Sequence, residues 1–193
     1  LHCDNEAVLH LYSATHLWPQ VEPLARLLGA EVSLLADVSG DDPFDEACST
    51  AWSRLAAELS ARLGRSVELP AACVAVTVEL RGERDVTHDL AQADAEALLQ
   101  YLEWRGVIAG PPRSLPALAC EPTPLAGSIP VLAPHGGVLV HARPPGTTVR
   151  RGELVAERRA NRRLGAGNVH LREHCAEHRR LRLVIGAGHV EQH

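Results

Sequence analysis

The chain has 193 residues, 46% of them apolar and 22% charged, enough for one core of moderate size plus a small appended module. Its net charge of −5 argues against a polyanion binder, so no nucleic-acid partner is expected. No apolar run approaches the roughly 20 residues of a membrane-spanning helix and no signal peptide is visible; the five cysteines stand singly with no Cys-x-x-Cys pair, the pattern of reduced thiols in a cytoplasmic protein.

The chain opens on Leu1-His2-Cys3-Asp4-Asn5-Glu6, followed by the apolar run Ala7-Val8-Leu9. This looks like a strand that has just ended and delivered a histidine into a site, and it contains no methionine anywhere. The expectation is a C-terminal fragment of a larger protein. Val21 to Leu28 reads as a short helix ending at Gly29, and Glu31 to Ala36 as a buried strand. Asp41-Asp42-Pro43 then opens a helix over Phe44 to Leu63, with Ala47, Leu55, Leu59 and Leu63 near one face and a stop at Gly64. Ala71 to Leu80, β-branched and bounded by Pro70 and Gly82, predicts a strand. Asp89 to Arg105 predicts an amphipathic helix closed by Gly106. Alternating strands and helices over residues 1–109 imply an α/β domain with a largely parallel sheet.

Residues 110–128 are rich in proline and read as a linker. A small β module follows over 129–157: short runs such as Ile129 to Pro134, Gly136 to Val140 and Gly152 to Glu157, separated by Gly and Pro turns, suggest a barrel or sandwich. From Arg158 the composition turns to Arg and His and the β pattern stops. Residues 158–193 are a disordered basic tail or translation in a shifted frame; composition favours the second. Either way the tail is expected to pack poorly. His170, His174 and His178 would share one helical face there, but nothing around them would orient metal ligands.

Two residues carry the chemistry. His2 lies at a strand end, and Glu79 closes the strand segment Ala75 to Leu80. Sites gather at the carboxyl ends of parallel strands. Each also has a plain structural reading: a lone His is more often structural, and Glu79 could simply pair with Arg81.

The words around them add to this. Leu1 to Tyr12 (LHCDNEAVLHLY) resembles the segment bearing the third zinc ligand in the succinylglutamate desuccinylase/aspartoacylase family, a branch of the zinc carboxypeptidase superfamily. Thr77 to Gly82 (TVELRG) resembles that family's catalytic-glutamate segment. Asp42 to Ser49 lies between them as in the family's bacterial deacylases. Ala133 to Val138 and Arg150 to Glu157 resemble its C-terminal domain. The order of four segments over residues 1–157 carries the resemblance.

It implies the C-terminal part of a zinc-carboxypeptidase-like mixed sheet followed by a small β-barrel or sandwich module. It also implies zinc-dependent hydrolysis of an N-acyl amino acid, with His2 as a metal ligand and Glu79 as general base. The family's other ligands come from a His-x-x-Glu motif, which would have to precede His2. The fragment alone is therefore expected to be inactive. Homo-oligomerisation stays open, favoured by an uncovered sheet edge. Two rivals remain beside a hydrolase. A biotinyl or lipoyl carrier would need a lysine, and all 19 basic residues are arginine. A non-catalytic binding protein or pseudogene product with a β-barrel module is the alternative.

Overall fold

The computed structural model describes residues 1–40, 43–70, 72–111, 113–129, 137–150, 152–159, 169–172 and 180–182. They divide into two compact units, Leu1–Gly127 and Ser128–His193. The first unit is built on a five-stranded sheet. Its strands are β1 (His2–Asp4), β2 (Leu9–Ser13), β3 (Val32–Leu35), β4 (Val76–Gly82) and β5 (Thr123–Pro124). They lie in the order β1-β4-β2-β3-β5. All pairs are parallel except β2 with β4, so the sheet is mixed. His2 opens β1 and does not stand at its end.

One face of the sheet is apolar. Leu9 and Leu11 of β2 stand in register beside Leu80 and Val78 of β4. Against them pack Val21, Leu24, Ala25 and Leu28 of helix α1 (Trp18–Leu28) and Ala97 of helix α3 (His88–Trp104). Leu11, Leu17 and Val21 are fully buried. Helix α1 starts one turn earlier than its apolar period suggests, because Pro19 suits a first turn where no backbone donor is needed. It ends at Gly29 in the left-handed conformation. Helix α3 is capped by the Thr87 hydroxyl, which accepts from the Leu90 N–H at 3.2 Å. The Tyr101 hydroxyl donates to the Gln20 carbonyl at 2.9 Å and pins α3 to α1.

Helix α2 (Phe44–Leu63) has the predicted bounds, yet it buries a different face. Its buried residues are Asp45, Glu46 and Ser49, while Phe44, Trp52, Leu55 and Leu63 are exposed. The proline-rich stretch also departs from a bare linker. Leu118 packs against the core, the Pro116 carbonyl accepts from Arg26, and Thr123–Pro124 pairs with β3. Proline tolerates this position because the strand lies at the sheet's edge.

In the second unit β8 (Leu154–Arg159) pairs antiparallel with β6 (Val138–His141) and with β9 (Val169–Arg172). A separate pair joins β7 (Thr148–Arg150) to β10 (Arg180–Arg182). These are small two- and three-stranded sheets; a closed barrel is not formed among the described residues. Strands β9 and β10 come from the arginine-rich tail, so its backbone continues the β pattern that its composition hides. Arginine-rich segments can pair because ladder hydrogen bonds use backbone groups only. His174, His178 and residues 130–136 lie outside the described residues.

Candidate functional site

The other face of the first unit's sheet is polar, and the register explains why. Side chains alternate across a strand. With Leu9, Leu11 and Val78 facing the helices, His10, Tyr12, Thr77 and Glu79 face the opposite way. Glu79 sits in the interior of β4, not at its end. It is flanked in register by His2 of β1 on one side and His10 of β2 on the other. Three ionisable side chains thus form one row across three strands.

His2 Nδ1 lies 3.4 Å from Glu79 Oε2, with the His2 side chain 74% exposed and that of Glu79 only 10%. This is ion-pair range rather than a hydrogen bond, and Glu79 Oε2 is buried with no hydrogen-bond partner. The competing structural reading gives Glu79 to Arg81. The structure gives Arg81 to Asp94 of α3 instead, through two contacts of 2.9 and 3.0 Å. Arg81 holds a left-handed backbone, φ 76°, two residues beyond the carboxylate; such strain recurs at functional sites. Glycine follows because a Cβ at Gly82 would meet the Asn5 carbonyl and Glu6 Cα at 3.1 Å. The chain after β1 therefore lies directly against the end of β4.

His10 is 1% exposed. Its Nδ1 meets the Val8 carbonyl at 2.8 Å, and a carbonyl only accepts, so Nδ1 carries the proton. Its Nε2 has no hydrogen-bond partner and faces Asp4 Oδ2 at 3.8 Å. The Tyr12 ring stands edge-on to His10 with centroids 5.4 Å apart. Burial, then the carboxylates of Asp4 and Glu79, push the Tyr12 hydroxyl above its ordinary pKa. It stays protonated at neutral pH and can donate.

Beside this row a cavity of about 260 Å³ opens. Leu34, Ala36, Pro43 and Leu125 supply apolar walls, and Tyr12, Thr77, Ser39, Asp45 and Glu46 the polar ones. Tyr12, two residues beyond His10 on the same face of β2, lines the cavity.

His2 and Glu79, singled out in the sequence, are thus brought together. Asp4, His10, Tyr12 and the α2 carboxylates were not singled out. Strict alternation in Leu9-His10-Leu11-Tyr12-Ser13 was the available signal for β2 and its polar face. Among the described residues no group of three His, Cys, Asp or Glu side chains could hold a metal ion. A catalytic zinc takes three protein ligands, so these residues do not make a zinc site by themselves. Nor is any described helix long and apolar enough to cross a membrane.

No family model matches the chain, and no curated protein matches it. Solved structures do. A protein assigned to the succinylglutamate desuccinylase/aspartoacylase family from Shewanella amazonensis is 25% identical, with a TM-score of 0.68 over 90% of this chain and 46% of that one. A succinylglutamate desuccinylase/aspartoacylase from Rhodobacter sphaeroides is 18% identical, with a TM-score of 0.62 over 96% and 50%. The ectoine utilization protein EutE (DoeB) from Ruegeria pomeroyi, solved with product bound, is 16% identical, with a TM-score of 0.62 over 95% and 50%. The resemblance to this family is borne out by its fold. The chain spans about half the length of the structures it matches.

Proposed function

We propose that the chain forms part of a deacylase that hydrolyses the amide bond of an N-acyl amino acid, with Glu79 moving the protons. The observation that supports this most is the Glu79 carboxylate. It is buried, its Oε2 lacks a hydrogen-bond partner, and it stands in register between two imidazoles. A buried acceptor left unsatisfied is costly, and a general base needs a free acceptor. The likeness to the deacylase-family structures supports the same reading.

In this reading the enzyme is zinc-dependent and His2 is one ligand, the others coming from residues outside this chain. With Nδ1 turned to Glu79, His2 has Nε2 left to meet a metal. When bound, zinc would polarise the acyl carbonyl and make water more acidic. The residues of this chain do the rest. Glu79 takes a proton from the attacking water and returns it to the departing amine. His10, anchored through Nδ1, and Tyr12, held neutral, wall the carboxylate from solvent on the β2 side.

In the longer protein, Glu79→Gln should preserve fold and zinc content and lower turnover on N-acyl amino acids by about 10²–10⁴-fold. A near-normal rate would assign the proton transfers elsewhere.

A further inference from the structure

One stretch of β4 departs from the regular strand pattern. His2 pairs with Glu79 and Asp4 with Gly82, so three steps along β4 match two along β1. The extra residue makes a β-bulge, a device that re-aims side chains beside active sites. Within it lies Arg81, whose φ of 76° is costly for any residue but glycine. In a regular strand Arg81 would share a face with Glu79, two residues before it, and its cation would stand beside that carboxylate. Instead the guanidinium crosses to α3, on the apolar side of the sheet, and meets Asp94 through two contacts of 2.9 and 3.0 Å. Just beyond, Gly82 admits the backbone of Asn5 and Glu6, and the Glu83 N–H donates to the Asp4 carbonyl at 2.7 Å.

We propose that Asp94 is a positioning residue for the site: by holding Arg81 in the bulge it keeps the guanidinium off Glu79 and sets His2 opposite that carboxylate. The inference rests on the deacylase reading of Glu79, which needs a free acceptor, and Glu79 Oε2 has no hydrogen-bond partner. The Arg81 and Asp94 side chains are only 20% and 13% exposed. Their paired contacts fix a direction as well as a charge, and that direction offsets the strain of the left-handed backbone. Fastening α3 does not require them. The helix is held to α1 through the Tyr101 hydroxyl and packs on the core through Ala97, so it offers Asp94 as a fixed anchor.

The test uses the 193-residue chain labelled with ¹⁵N. Hydrogen exchange of the Glu83 amide, measured against amides of the β2–β4 ladder, reports whether β1 sits on the bulge. Asp94→Ala and Arg81→Ala should each speed it about tenfold, because a non-glycine residue then holds a left-handed backbone with no anchor. Arg81→Gly adopts that backbone freely, so Glu83 should stay protected, both in that variant and when it is combined with Asp94→Ala. In the longer protein, turnover on N-acyl amino acids should fall at least about tenfold in Asp94→Ala and recover in the double variant. A contact that only fastened α3 would give no recovery. Full protection of Glu83 in Asp94→Ala, exchange as fast in Arg81→Gly as in Arg81→Ala, or a double variant no better than Asp94→Ala each overturns the proposal. If Asp94→Ala does not fold, the two Arg81 variants decide, and an Arg81→Gly chain that does not fold also overturns it. Exchange needs no turnover, so the two readings fail separately. The expected exchange order without hydrolysis in the longer protein would sink only the deacylase reading, and hydrolysis indifferent to these variants only this one.

Discussion

The row His2, Glu79 and His10 sets what single residues can do. One exposed imidazole cannot replace three preorganised zinc ligands. The 193-residue chain should therefore bind zinc weakly, by isothermal titration, through His2. Tight stoichiometric zinc abolished by His2→Ala would mean that further donors converge there. Tyr12 offers a second measurement. Its raised pKa favours the protonated hydroxyl in the folded state. Folding then binds a proton that the unfolded chain, titrating at 10.0, has lost. Tyr12 adds no pH dependence below that value, and stability falls as pH rises from it towards the folded pKa. Tyr12→Phe should remove this alkaline loss in urea melts. An unchanged pH profile would show that Tyr12 ionises freely. Glu79 was legible in the sequence because a carboxylate inside a β-branched run is conspicuous. His10 was not, because its role comes from lying opposite Glu79 on a strand 69 positions away in sequence, and strand pairing cannot be read from one strand.

Elements were legible where backbone chemistry marks their ends. Pro43 and Gly64 bound α2 as expected, and Gly29 ends α1. Which face an element buries depends on its neighbours, and there the sequence misleads. The leucines of α2 suggest a core-facing stripe, yet Leu55 and Leu63 are exposed while Asp45 and Glu46 are inside. Glu46 is held by the Ser39 amide, a contact that spacing does not reveal. Gly82 shows the same dependence at the β1–β4 junction. Its amide donates to Asp85 at 3.1 Å, and its missing side chain admits the backbone of Asn5 and Glu6. Gly82→Ala should force that backbone aside and cost about 1–3 kcal/mol, read as a lower urea midpoint at unchanged slope. In the longer protein the same change should lower turnover, because β1 carries His2. A neutral substitution would show that the β1 connection yields freely. The Leu11 side chain, fully buried at the centre of the apolar face, should by contrast cost about 2–5 kcal/mol when cut to alanine.

At the scale of the whole chain, the core, the ionisable row and the cavity all belong to the first compact unit, Leu1–Gly127. A sequence boundary at residue 109 follows from the prolines, which cannot donate to a sheet ladder and so look like connection. The structure shows what that boundary would remove. Leu118 would leave the core, Arg26 would lose the Pro116 carbonyl, β3 would lose β5, and the cavity would lose Leu125. A chain of residues 1–127 should keep the urea midpoint of the first unit's transition in the full chain. A chain of residues 1–109 should be less stable by about 2–4 kcal/mol, from one part-buried leucine and a few hydrogen bonds near 1 kcal/mol each. Both chains can be compared by urea melts followed by circular dichroism, with Trp18 and Trp104 fluorescence as a second probe. Equal midpoints would return residues 110–127 to the status of a linker. A chain of 1–127 that melts well below the full chain's first unit would mean that residues after 127 hold part of its stability, and the functional unit would have to be redrawn to include them.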